Sequence, residues 1–237
     1  GHGQTKSTNE KDEKDLSLDR LVQDAIIVLQ GLTKALEITQ IILVGHSLGG
    51  AIVVRAAASE SVNFPIVGVV VVDLVEGTAL ASLPHLPDLL HTRPDYFPNV
   101  QEAIKWSLDA RMVNNPSSAL LSVPSMLVQI EKEPNESESN PSTTTTTTST
   151  TSTTTAATAY TWRTNLHETS LYWDEWYRGL SKDFLSINSN KLLILASTDR
   201  LDKTLMIGQM QGKFQFQVVK SAGHSVHEDQ PQHVAVL

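Results

Sequence analysis

Ile41-Ile42-Leu43-Val44-Gly45-His46-Ser47-Leu48-Gly49-Gly50 is the stretch whose reading decides the fold of this chain. Its first four residues form an apolar, β-branched run, too short for a helix and suited to a buried strand. Gly45 to Gly50 then makes a sharp turn, and Ala51-Ile52-Val53-Val54-Arg55-Ala56-Ala57-Ala58 continues as a helix. The pattern Gly-x-Ser-x-Gly at 45–49 therefore lies between a strand and a helix. Glycines two before and two after the serine let the backbone close tightly. Such a bend raises the Ser47 hydroxyl above the sheet. It also points the N-terminal amides of the helix, beginning with Leu48, at any negative charge that develops beside the hydroxyl. A pentapeptide of this form arises by chance in about one chain in ten of this size, so the strand–turn–helix setting carries the weight.

Upstream, Leu18, Leu21, Val22, Ala25, Ile26, Leu29, Leu32 and Leu36 recur at helical spacing, with Asp15 or Ser17 placed to cap them. Downstream, Ile66 to Val72 is almost wholly valine and ends at Asp73. Unalternating apolar strands separated by helices predict a mostly parallel sheet with helices on both faces, an α/β fold. From Gly77 to about Ser186 the pattern loses its strands, and helical stretches near 99–111 and 117–130 predict a helical cap insertion. Within it, about 134–158 is nearly all Ser, Thr, Glu and Asn and is expected to be disordered, because it buries too little apolar surface to offset its ordering entropy. Aromatic residues then cluster, from Trp162 to Tyr172, Trp173, Trp176 and Tyr177. Strand–helix alternation resumes with a strand at 191–196, a helix at 203–211 and a strand at 214–219, and a last helix begins at about Pro231. The expected division is core at 1–76, cap at 77–186 and core again at 187–237.

The 237 residues suffice for one domain, and 40% hydrophobic with 19% charged residues describes a globular chain. A net charge of −8 argues against nucleic-acid binding, which needs clustered Lys and Arg. No run reaches the 18 or more apolar residues of a membrane span. Cysteine is absent, which excludes disulfides and thiolate chemistry and fits a reducing, intracellular compartment. No metal or cofactor is expected.

A serine hydroxyl is a poor nucleophile without a neighbouring base. In the α/β-hydrolase fold the chain order is serine, acid, histidine, with the histidine after the last strand. His224 stands there, behind Gly223; His227 is its rival, with capping or packing beside Glu228 and Asp229 as its other role. The remaining histidines read as surface or packing residues, and His46, inside the turn, would point away from substrate or shape the pocket. The acid stays open between Asp73, at the tip of an all-apolar strand, and the pair Asp199 and Asp202 after the later one.

Several stretches resemble protein phosphatase methylesterases. They include Gly45 to Ile52, Val72-Asp73-Leu74-Val75-Glu76-Gly77-Thr78-Ala79, Tyr160-Thr161-Trp162-Arg163 and Tyr172-Trp173-Asp174-Glu175-Trp176-Tyr177-Arg178-Gly179. Ile207-Gly208-Gln209-Met210-Gln211-Gly212-Lys213-Phe214 and Gly223-His224-Ser225-Val226-His227-Glu228-Asp229 complete the set. The resemblance implies a serine carboxylesterase that removes the methyl ester from the C-terminal leucine of the type 2A protein phosphatase catalytic subunit, its expected partner. It implies Ser47 as nucleophile, Asp73 as acid and His224 as base, with the aromatic cap either a docking face or plain packing. The expected location is intracellular, the cytoplasm and the nucleus. The family also carries earlier strands and a His-Gly-Gly-Gly loop that this chain is read as lacking, which would leave the Leu48 amide as a single oxyanion donor and one edge of the 41–44 strand unpaired. The competing readings are a catalytically impaired phosphatase-binding fragment and a general small-ester hydrolase.

Overall fold

The computed structural model describes residues 15–132, 157–198 and 201–237. Helix α1 (Leu18–Ala35) starts where Ser17 Oγ accepts the Arg20 amide at 3.3 Å. Strand β1 (Ile41–His46), helix α2 (Leu48–Ala58) and strand β2 (Ile66–Val72) follow. After short helices α3 (Glu76–Ser82), α4 (Leu86–His91), α5 (Val100–Asp109) and α6 (Pro116–Ser122) comes the pair β3 (Leu127–Lys132) and β4 (Ala157–Trp162). Helices α7 (Trp173–Tyr177) and α8 (Leu180–Ser186) lead into β5 (Asn190–Leu195), α9 (Lys203–Met210), β6 (Gln215–Val218), α10 (Val226–Asp229) and α11 (Pro231–Val234).

The main sheet among the described residues has the order β1-β2-β5-β6 with every pair parallel. Among these strands, β1 and β6 stand at the two edges. The registers set Val44 beside Val70, and Val70 beside Leu192, so alternate residues from each strand share a face. On one face Leu43, Val69, Val71, Leu193 and Leu195 are buried. Val69, Val71, Leu193 and Leu195 share a core cluster with Leu18 of α1, Ala51 and Val54 of α2, Trp173 and Trp176 of α7 and Leu180 and Phe184 of α8. Each such side chain contributes roughly 1.5–3 kcal/mol by leaving water.

Helices lie on both faces as expected, but they cover the opposite face unevenly. Its C-terminal end is closed, with Val72 and Ile194 buried against Val219 and Val226. Its lower part is open, and Ile42 and Val44 are 62% and 64% exposed.

The expected helix at 117–130 is also corrected. The helix stops at Ser122, a 3₁₀ turn spans Val123–Met126, and β3 pairs antiparallel with β4 from Leu127 opposite Trp162 to Lys132 opposite Ala157. Pro124 cannot continue a helix from Ser122. Val128, Ile130, Thr158, Tyr160, Thr161 and Trp162 are all residue types that favour strands, so the region 77–186 does contain strands. The hairpin packs on α5 and α6 around Phe97, Ala103, Ala119 and Val123. Most of the stretch expected to be disordered lies outside the described residues; its last two residues, Ala157 and Thr158, belong to β4.

Candidate functional site

The turn after β1 is as tight as its sequence requires, but two of its glycines have different reasons. Ser47 sits at φ 52° and ψ −126°, a strained backbone for a residue with a side chain. A Cβ on Gly45 would lie 2.2 Å from the Gly49 carbonyl oxygen, so Gly45 is obligatory. A Cβ on Gly49 would meet nothing within 4 Å, contrary to the expectation that space forbids one there. The second crowded position is Gly50, whose Cβ would fall 3.0 Å from Val71 Cγ1 and 3.2 Å from Leu74 Cδ2. The Ser47 amide donates to the Val72 carbonyl at 3.0 Å, tying the bend to the end of β2. Leu48 is the first residue of α2, one of the positions whose N–H has no acceptor within the helix.

Asp73 directly follows β2 and is likewise at positive φ, 49°. Its side chain is fully buried, with Oδ1 accepting the Ala196 amide at 3.1 Å and Oδ2 standing 2.8 Å from His224 Nδ1. Its own amide donates to the Ile194 carbonyl at 2.8 Å. The His224 ring, by contrast, is 55% exposed. Asp73 and His224 line an open cleft of ≈ 750 Å³ whose apolar wall comes from Leu74, Leu83, Leu86 and Leu89, with Tyr177 also at its border. Burial raises the Tyr177 phenol above its ordinary range, so it faces the cleft as a neutral hydroxyl.

The rivals have other occupations. Asp202 caps α9, accepting the Leu205 amide at 2.8 Å on one oxygen and the Ser181 hydroxyl at 2.6 Å on the other. Asp199 lies outside the described residues. His227 stands 3.8 Å from Glu228, as its packing role anticipates. Trp173 and Trp176 are core residues whose indoles donate to Thr169 Oγ1 at 2.7 Å and to the Leu16 carbonyl at 2.8 Å. Of the two expectations for these tryptophans, packing is the one they meet.

Two residues near His224 had no reading in the sequence that tied them to it. His46 Nε2 lies 2.8 Å from the His224 carbonyl, which can only accept, so Nε2 carries the hydrogen. Burial, followed by the neighbouring His224, lowers the His46 pKa to about 4 and keeps the ring neutral. Asp229, buried, accepts the Gly223 amide at 2.7 Å. Its place within Gly-His-Ser-Val-His-Glu-Asp was the one available signal, and the sequence offered no reason to separate it from Glu228. Among the described residues no group of three or more His, Asp or Glu side chains is arranged to hold a metal ion. No described helix is long and apolar enough to cross a membrane.

The chain thus holds a serine at a strained strand-to-helix bend and, in the same fold, a histidine bonded to a buried carboxylate. The chain belongs to the alpha/beta hydrolase family, whose model matches residues 1–236. Among curated proteins it is 41% identical over 237 residues to protein phosphatase methylesterase 1 of Aspergillus oryzae, covering 97% of this chain and 51% of that protein. Protein phosphatase methylesterase 1 of Gibberella zeae is 42% identical over 240 residues, covering 100% and 54%. The probable protein phosphatase methylesterase 1 of Caenorhabditis elegans is 37% identical, covering 99% and 57%. The resemblance drawn from the motifs is thus matched by relatives, and the chain spans about half the length of each. Solved structures of similar fold include E-2-(acetamidomethylene)succinate hydrolase, with TM-score 0.61 at 18% identity over 99% of this chain and 75% of that one. A Mycobacterium tuberculosis esterase gives TM-score 0.62 at 18% identity, covering 99% and 71%.

Proposed function

We propose that this chain carries the serine-esterase centre of a protein phosphatase methylesterase, with Ser47 as nucleophile, His224 as general base and Asp73 as its orienting acid. The substrate is the methyl ester on the C-terminal leucine of the type 2A protein phosphatase catalytic subunit, which is the proposed partner. The observation that carries the reading is the 2.8 Å contact between His224 Nδ1 and the buried Asp73 carboxylate. With Nδ1–H donated to Asp73, the imidazole presents a bare Nε2 as proton acceptor. The relatives' names supply the substrate class, and the absence of cysteine fits the proposed intracellular setting.

The chemistry runs in two halves. His224 Nε2 takes the Ser47 proton as Oγ bonds to the ester carbonyl carbon, and the Leu48 amide faces the resulting oxyanion. The carbon–methoxy bond breaks, the imidazolium returns its proton to methoxide, and methanol leaves. Water then attacks the acyl-serine with the same base, releasing the leucine carboxylate and restoring Ser47. Asp73 holds the tautomer throughout without becoming protonated. Ser47→Ala is expected to reduce hydrolysis of a p-nitrophenyl ester, and of the methylated phosphatase, by at least about 10³-fold. Unchanged turnover in that variant would remove the reading. Good turnover of simple esters with no demethylation of the phosphatase would restrict it to a small-ester hydrolase.

A further inference from the structure

The His224 ring is 55% exposed, so side-chain packing alone does not hold it against the cleft. Its side-chain bond to Asp73 fixes Nδ1 but leaves the rest of the ring to be aimed by the backbone that carries it. That backbone is gripped from two directions. On one side the His46 ring, 4.7 Å centre to centre from the His224 ring and 4.7 Å from the His227 ring, donates Nε2–H to the His224 carbonyl at 2.8 Å. On the other, Asp229 Oδ2 accepts the Gly223 amide at 2.7 Å, one residue before the histidine.

The carboxylate of Asp229 is itself immobilised. Oδ1 accepts the Asn114 amide at 2.6 Å and Oδ2 also accepts Asn114 Nδ2 at 2.7 Å. A buried carboxylate costs several kcal/mol unless donors surround it. Here the donors, the Asn114 and Gly223 amides and the Asn114 side chain, are uncharged, so the group offers a fixed geometry instead of an ion pair. Gly223 is where the backbone comes closest. A Cβ there would stand 3.0 Å from Asn114 Nδ2 and 3.3 Å from Asp229 Oδ2, and would push the loop off its anchor.

We propose that His46 and Asp229 are positioning residues for His224, holding the Gly223–His224 dipeptide by its carbonyl and its amide so that Nε2 meets the nucleophile. The inference rests on Ser47 and His224 acting as described above. A shift of about 1 Å in such a group is enough to cost on the order of 10²-fold in rate.

The test is steady-state kinetics of the full chain on p-nitrophenyl acetate, with thermal unfolding as the check on folding. His46→Gln and His46→Met are compared because the two replacements are of similar length and differ in the terminal N–H donor. His46→Met is expected to lower kcat about 10- to 100-fold with KM within about twofold, and His46→Gln to recover most of that loss. Asp229→Ala is expected to lower kcat by a similar factor, with Asp229→Asn between it and the parent because the amide keeps one acceptor oxygen. Equal kcat in the Gln and Met variants, or a parental kcat in folded Asp229→Ala, overturns the proposal while leaving Ser47 and His224 in place. Turnover that survives Ser47→Ala brings down the reading beneath it instead.

Discussion

The two edge strands of the main sheet turn different side chains to water. Strand β6 reads Gln215-Phe216-Gln217-Val218, with the glutamines exposed and Phe216 and Val218 half-buried. Strand β1 begins Ile41-Ile42-Leu43-Val44, apolar throughout, yet Ile42 and Val44 are more than half exposed while Leu43 is buried. The two edges thus share an alternation of exposure, and only β6 shares it in sequence. An edge that alternates has been fitted to solvent, whereas one that does not is built like the interior of a sheet. The contrast extends to the two faces, because Val71 on the covered side of the same sheet is buried while Val44, the same residue type, is exposed.

The largest effect is expected where the faces differ most. Val71→Asp places an unpaired carboxylate in the core and is expected to abolish cooperative urea unfolding, a loss of several kcal/mol. Val44→Asp on the open face is expected to leave the transition in place, and equal damage from the two would dissolve the distinction. Val69→Ala is expected to cost about 2 kcal/mol, read from the denaturation midpoint.

Next comes a pH effect at the closed end of the less covered face, where His46 lies beside His224, His227 and Asp73. Its folded pKa is about 4 against an ordinary 6.5, so the folded state binds its proton less readily than the unfolded chain. The stability it contributes is complete above about pH 6.5 and is lost as the pH falls toward 4, by about 3 kcal/mol. His46→Gln is expected to flatten that part of the stability profile, and an unaltered slope would assign it to other groups. The smallest effect is Ile42→Thr, expected to change stability by under about 0.5 kcal/mol while lowering binding of an apolar dye. A cost near 2 kcal/mol would mean that Ile42 is covered in solution and that β1 is an edge in name only.

The same local-versus-distant distinction governs how much of the molecule was legible beforehand. Strand β2 was predicted at its observed bounds because seven apolar residues between turn signals admit one reading. The elbow was legible for a related reason, since Gly45 is demanded by an atom four residues away. The hairpin was missed because neither half identifies itself. Leu127 to Lys132 gains its form from β4, which follows only after a long polar interval, and Pro124 was the overlooked sign that the preceding helix had stopped. The acid was unreadable for a tertiary reason. Asp73 and Asp202 both follow strands, and only folding puts one against His224 and the other at the start of α9. His46 looked like packing because its hydrogen bond joins residues 178 apart.

One consequence follows from the pairing of Lys132 with Ala157. The segment between them therefore begins and ends on neighbouring strand ends about 5 Å apart. The entropy of closing such a side loop grows only logarithmically with its length. The ends of β3 and β4 therefore mark a splice point, where the sequence between them can be lengthened, shortened or exchanged for a tag at little thermodynamic penalty, and no residue of either strand lines the cleft beside His224.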